Sequence, residues 1–88
     1  MISVDIAREM VRMREHLACM RVARALIEIR QPQVAEYAFD DGIGVHLCYP
    51  NYCLDIRTPL RIDVQPYNEV ARTMTTRGAA DMLRESAT

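Results

Sequence analysis

VAEYAFDDGIGVHLCYPNYCLDIRTPLRIDV, residues 34–64, alternates apolar and polar side chains almost without break and is punctuated by turn-forming residues at DDG and PN. Alternation of this kind puts the apolar residues on one face of a β-strand. The segments VAEYAF, IGVHLCY, YCLDIR and LRIDV therefore predict three to four strands, and such short connections join antiparallel neighbours. Asp40-Asp41-Gly42 fits a three-residue hairpin loop with Gly42 in the left-handed region, which pairs Phe39 with Ile43. Counting outward sets Tyr37 opposite Val45 and Ala35 opposite Leu47, with all of these side chains toward the core. The second turn, Tyr49-Pro50-Asn51-Tyr52, sets Leu47 opposite Leu54, so the two hairpins agree on which face is buried.

On the N-terminal side, Ser3 to Arg30 contains no Gly or Pro, is rich in helix formers and ends at Gln31-Pro32, where the residue before proline is pushed out of helical geometry. One long helix is predicted, with Ser3 as its cap and Asp5 at the positive end of its dipole. On the C-terminal side, Pro66 suits a first helical turn, and Tyr67, Val70, Ala71 and Met74 recur at i, i+3, i+4 and i+7. A C-terminal helix is expected there, continuing through AADMLRE, with Gly78 either a cap or a weak point that breaks it. The expected fold is α+β, a single domain over residues 1–88: a long N-terminal helix, a three- to four-stranded antiparallel β-meander and a C-terminal helix. A helix-turn-helix within YNEVARTMTTRGAADML is disfavoured, because no short turn separates two helices and no basic recognition face follows.

The length of the first helix poses a problem of coverage. About 27 residues at 1.5 Å make ~40 Å of helix, against ~20 Å for a typical strand. At ~100° per residue, Ile6, Met10, Met13, Leu17 and Met20 form one apolar stripe, and Ala7, Val11, Ala18, Val22, Ala25 and Ile29 a second, with Arg14 and Arg21 between them. A small sheet cannot cover both. The surplus stripe of Met10, Met13, Leu17 and Met20, with Arg14 and Arg21 beside it, is therefore the expected partner-binding surface, and a homodimer is its simplest occupant.

The polar face of the meander carries a different chemistry. His46, Cys48, Cys53 and Asp55 are expected on the outer sheet face, with His46 opposite Asp55, Cys48 opposite Cys53, and Glu36 on the other side of His46. Two cysteines, a histidine and an aspartate are chemically adequate for zinc. Side chains on one sheet face stand roughly parallel, however, and a C-x4-C spacing lacks the tight C-x2-C turn that aims zinc ligands inward. A metal is not expected on these grounds, nor any other cofactor. A Cys48–Cys53 disulfide is reachable in geometry but disfavoured in a reducing compartment.

Composition removes many functions. Eleven basic and twelve acidic residues nearly cancel, leaving no long-range field to grip a phosphate backbone, so nucleic acid is an unfavoured partner. The balance is uneven: residues 1–30 carry six Arg against four acids, and 31–88 carry five Arg against eight, so the Arg-bearing first helix is where a nucleic-acid-binding regulator would make contact. No apolar run spans a bilayer, and three cysteines are too few for a disulfide scaffold, so a soluble cytoplasmic protein is expected. Every basic residue is Arg, so there is no Schiff-base or P-loop lysine. Serine occurs only at positions 3 and 86 and glycine only at 42, 44 and 78, which rules out a Gly-x-Ser-x-Gly elbow and a dinucleotide or phosphate loop. A Cys–His pair survives, with nothing beside it to make an oxyanion hole, and the chain is expected not to be an enzyme.

The helical N-terminal part, the hairpin start YAFDDGIGVHLCY with Tyr-x-Phe-Asp-Asp at 37–41, and the acidic strands followed by a terminal helix resemble, in layout and size, small phage-encoded anti-CRISPR accessory proteins. That resemblance implies a non-catalytic protein that binds and blocks a large host complex. It carries over no functional residue. The expected function is thus a small protein-binding regulator or inhibitor, with a nucleic-acid-binding regulator and a metal-binding hairpin as the alternatives.

Overall fold

The computed structural model describes residues 3–38 and 42–86. Helix α1 runs Val4–Ile29, strands β1 to β5 span Val34–Ala38, Gly44–Cys48, Tyr52–Thr58, Arg61–Pro66 and Arg72–Met74, and helix α2 spans Thr76–Ser86. The strands form one antiparallel sheet in the order β1-β2-β3-β4-β5. The architecture is α+β, as the alternation of residues 34–64 required.

Both hairpin registers follow the sequence. Ala35 pairs with Leu47 and Glu36 with His46; Leu47 pairs with Leu54, His46 with Asp55 and Cys48 with Cys53. Gly42 has φ of 79°, the left-handed region that its lack of a Cβ permits. The partner expected for Ile43, Phe39, lies outside the described residues, as do Asp40 and Asp41. Val45, Leu47, Leu54, Ile56, Ile62 and Val64 are fully buried on the inner face. Tyr37, expected to join them, is exposed, because β1 is the edge strand and α1 packs on β2 and β3 instead.

The C-terminal part departs from expectation. Residues Tyr67 to Met74 are not helical: β5 adds a fifth strand to the edge of β4, with Ile62 opposite Met74 and Val64 opposite Arg72. The i, i+3, i+4, i+7 pattern was a coincidence of spacing, since Tyr67 is exposed and Val70 is 88% exposed. Pro66 ends β4 and starts no helix. The helix proper begins after Thr75, whose hydroxyl accepts the Gly78 N–H at 3.1 Å while its carbonyl accepts the Ala79 N–H at 3.0 Å. Gly78 therefore sits in the first turn of α2, where it neither caps nor breaks the helix, and Ala79, Ala80 and Leu83 bury against α1 and the sheet.

Helix α1 has the predicted ends. Ser3 caps it by accepting the Ile6 N–H at 3.2 Å, and Arg30 leaves it in extended geometry. The Arg30 carbonyl accepts the hydroxyl of Tyr49 at 2.8 Å, so a fully buried residue of the second turn fastens the end of the helix to the sheet. The core line of α1 is Cys19, Ala23 and Leu26, which neither apolar stripe contained. Val22 and Ile29 of the second stripe pack from one side, and Met20, the end of the first stripe, packs from the other together with Ile27, which belonged to neither. Small residues at 19 and 23 let the helix approach the sheet closely, while longer side chains seal the margins.

Candidate functional site

Among the described residues, two surfaces stand out once the core is filled. The first is the leading half of α1. Strands of five to seven residues reach ~17–23 Å, so the helix outruns the sheet, and every residue from Ser3 to Glu15 is exposed. His16 ties the helix to the sheet side, its Nδ1 donating to the Ile43 carbonyl at 2.9 Å, and one turn earlier the Arg12 guanidinium comes close to Gly42.

The first half of α1 turns much of its apolar surface away from the core. At ~100° per residue, the arc that faces the core through Cys19, Ala23 and Leu26 carries Asp5, Arg8, Arg12 and Glu15 when followed back into the first half. Ile6, Met10 and Met13 lie roughly a third to half a turn from that arc, facing out, and Leu17 continues the face, while Val4 and Val11 lie about a quarter turn from it, in line with Val22 and Ile29. The exposure of the outward face is large: Met10 49%, Leu17 54%, Ile6 56% and Met13 57%. Arg14 and Arg21 are exposed along the same side. Of the residues expected to bind a partner, Met20 alone is partly buried against the core.

The second surface is the outer face of β2 and β3. His46 Nδ1 donates to Asp55 Oδ1, and Cys48 Sγ lies 3.0 Å from His46 Nε2 and 2.7 Å from Cys53 Sγ. Cys53 Sγ lies 3.6 Å from the hydroxyl of Tyr67, which donates to the Tyr49 carbonyl at 3.1 Å. His46, Cys48 and Cys53 each offer a donor atom within 4.8 Å of the others, and all three residues are partly buried. The premise that sheet side chains stand too parallel to converge does not hold for this hairpin. Tyr49 N–H donates to the Tyr52 carbonyl at 2.8 Å, so Cys48 and Cys53 occupy the adjacent non-hydrogen-bonded site, where opposed side chains come closest. Asp55 touches the imidazole from outside the donor set and orients it.

This cluster is a poor nucleophile. Burial first, then the hydrogen bond with Cys53 and the negative charge of Cys53, Asp55 and Glu36, push the Cys48 thiol up to about 12, whereas a nucleophilic cysteine needs a lowered value.

Compared with known proteins, the chain matches no family model, no curated protein and no solved structure. Among the described residues, no helix is long and apolar enough to cross a membrane.

Proposed function

We propose that this chain is a non-catalytic, protein-binding regulator that docks through the outward apolar face of the first half of α1, and that a second copy of itself is its basic partner. The observation that carries this is that Ile6, Met10 and Leu17 face away from the core line of Cys19, Ala23 and Leu26 and stand about half exposed along the leading part of α1. A helix that only served its own sheet would keep one arc, and a merely solvated extension would keep no large apolar side chains on the far side.

Ile6, Met10, Met13, Leu17 and Met20 follow a 4-3-4-3 spacing, which is a coiled-coil seam with Met10 and Leu17 at a and Ile6, Met13 and Met20 at d. In that frame Glu9 falls at g and Arg14 at e. A parallel pair brings each Glu9 to the Arg14 of the other helix, so the edge charges favour pairing with an identical chain. The mixed charges of the opposite arc, Asp5, Arg8, Arg12 and Glu15, offer no basic strip for a phosphate backbone. The resemblance to anti-CRISPR accessory proteins adds to this proposal only the class of action, inhibition of a larger complex.

Met13→Glu together with Leu17→Glu tests it. Wild type should sediment as a dimer at tens of micromolar, and the double variant as a folded monomer with unchanged helix content, because the charges enter an exposed face. A wild-type protein that stays monomeric at high concentration overturns the dimer.

A further inference from the structure

The outer-face cluster supports a site independent of the helix face. We infer that His46 Nε2, Cys48 Sγ and Cys53 Sγ form a binding site for one zinc ion, with Asp55 fixing the imidazole from behind and a solvent molecule completing four-coordination. The donor set is one that zinc selects: two sulfurs and an imidazole nitrogen, already within 4.8 Å of one another.

The imidazole is arranged as a ligand would be. Asp55 accepts from Nδ1, which leaves the lone pair on Nε2, the atom that faces Cys48. A carboxylate behind a histidine in this way sets its tautomer and raises its basicity toward a metal. Asp55 is itself held, lying 3.9 Å from the guanidinium of Arg57. A simple disulfide between the two cysteines would make no use of His46 or of this carboxylate.

The required adjustment is small. Tetrahedral zinc with ~2.3 Å bonds to sulfur separates two thiolates by roughly 3.8 Å, so Cys48 and Cys53 must open by about 1 Å from their 2.7 Å contact. Both sit at the end of a hairpin on the solvent-facing side of the sheet, where rotation about the side-chain bonds does not disturb the core. On binding, each thiol gives its proton to solvent as the sulfur–metal bond forms. Glu36 and Asp55 surround the sulfurs with negative charge, which favours a cation there.

Cobalt(II) is the probe, added to the full-length reduced protein in the presence of a phosphine reductant. The expected result is saturation at one equivalent, with a thiolate-to-cobalt charge-transfer band and the intense visible bands of a tetrahedral ion, all erased by stoichiometric zinc. Cys48→Ser with Cys53→Ser should abolish the charge-transfer band while the apo variant keeps the wild-type circular dichroism. Asp55→Asn should keep the band and weaken binding by about 10–100-fold. A cysteine pair that bound without its histidine would leave His46→Gln as tight as wild type, which overturns the site as drawn. So does a wild type that shows no saturable cobalt band, or whose Cys48 and Cys53 remain disulfide-bonded in reductant. The variants bear only on which residues bind, so a misfolded one does not rescue a negative wild-type result.

Discussion

Asp63 ties three strands together with one carboxylate. From β4 it accepts Arg57 Nε of β3 at 2.6 Å, Thr73 Oγ1 of β5 at 2.9 Å and Arg61 Nε of its own strand at 3.1 Å. Burial by itself would raise its carboxyl, but the hydrogen bonds from Arg57, Arg61 and Thr73 outweigh that and hold it below the usual 3.8. A lowered folded-state value means that the unfolded chain takes up the proton more readily. The contribution is therefore complete above the unfolded value and is lost as pH falls through the folded one. Asp63→Asn should cost about 1–2 kcal/mol at neutral pH, the solvent access of Arg61 keeping the figure modest. In denaturant melts its deficit relative to wild type should be constant from about pH 5 to 7 and shrink below about pH 4. Tyr49 is the second single-residue tie. Tyr49→Phe leaves the Arg30 carbonyl without its donor at the half-buried end of α1, for about 1–2 kcal/mol and a midpoint lower by roughly 5–10 °C. Neither role was legible beforehand: Asp63 depends on which strands lie on either side of it, and Tyr49 reads as a turn residue until its ring is seen under the helix end.

At the scale of elements, α1 is two helices in energetic terms. Leu26 is fully buried and Leu26→Ala should cost ~2–5 kcal/mol, whereas Met10→Ala, measured at a concentration where the chain is monomeric, should stay within ~0.5 kcal/mol. Equal losses at the two positions would mean that the first half of the helix is covered within one chain. The meander and the first helix were legible because their signals are local: alternation between turn residues for the strands, an unbroken run of helix formers between a cap and a proline for the helix. β5 was not, because three residues at a sheet edge leave little period to read and Met74 serves a strand and a helical pattern equally well. The core line of α1 was missed for a related reason. Cys19 and Ala23 are small, so a wheel weighted by bulk follows the flanking Met, Val and Ile. The cluster of His46, Cys48, Cys53 and Asp55 was legible as a set of neighbours on one face. Its convergence was not, since that depends on Cys48 and Cys53 occupying the closer of the two kinds of cross-strand site.

At the scale of the molecule, a single chain measures 54 × 25 × 20 Å, and the long dimension contains the half of α1 that runs beyond the sheet. How two copies join decides the shape of the dimer. An antiparallel pair over the same seam puts the two sheets at opposite ends. With the seam centred some 13 Å from each helix tip, the particle would be ~80 Å long. A parallel pair puts both sheets at one end, on opposite flanks, because each core arc points roughly a third to half a turn away from the seam. Its length then stays close to the 54 Å of one chain while its width about doubles. Bringing two positive helix ends together costs ~0.3–1 kcal/mol, which Asp5 in each first turn reduces and the two Glu9–Arg14 pairs oppose. Solution scattering of the wild-type dimer should therefore give a maximum dimension near that of the monomeric Met13→Glu, Leu17→Glu variant, with the mass doubled. Glu9→Arg should weaken the dimer by placing like charges across both edges, and Glu9→Arg with Arg14→Glu should restore it. A maximum dimension near 80 Å, or a double charge swap no better than the single one, would reject the parallel seam.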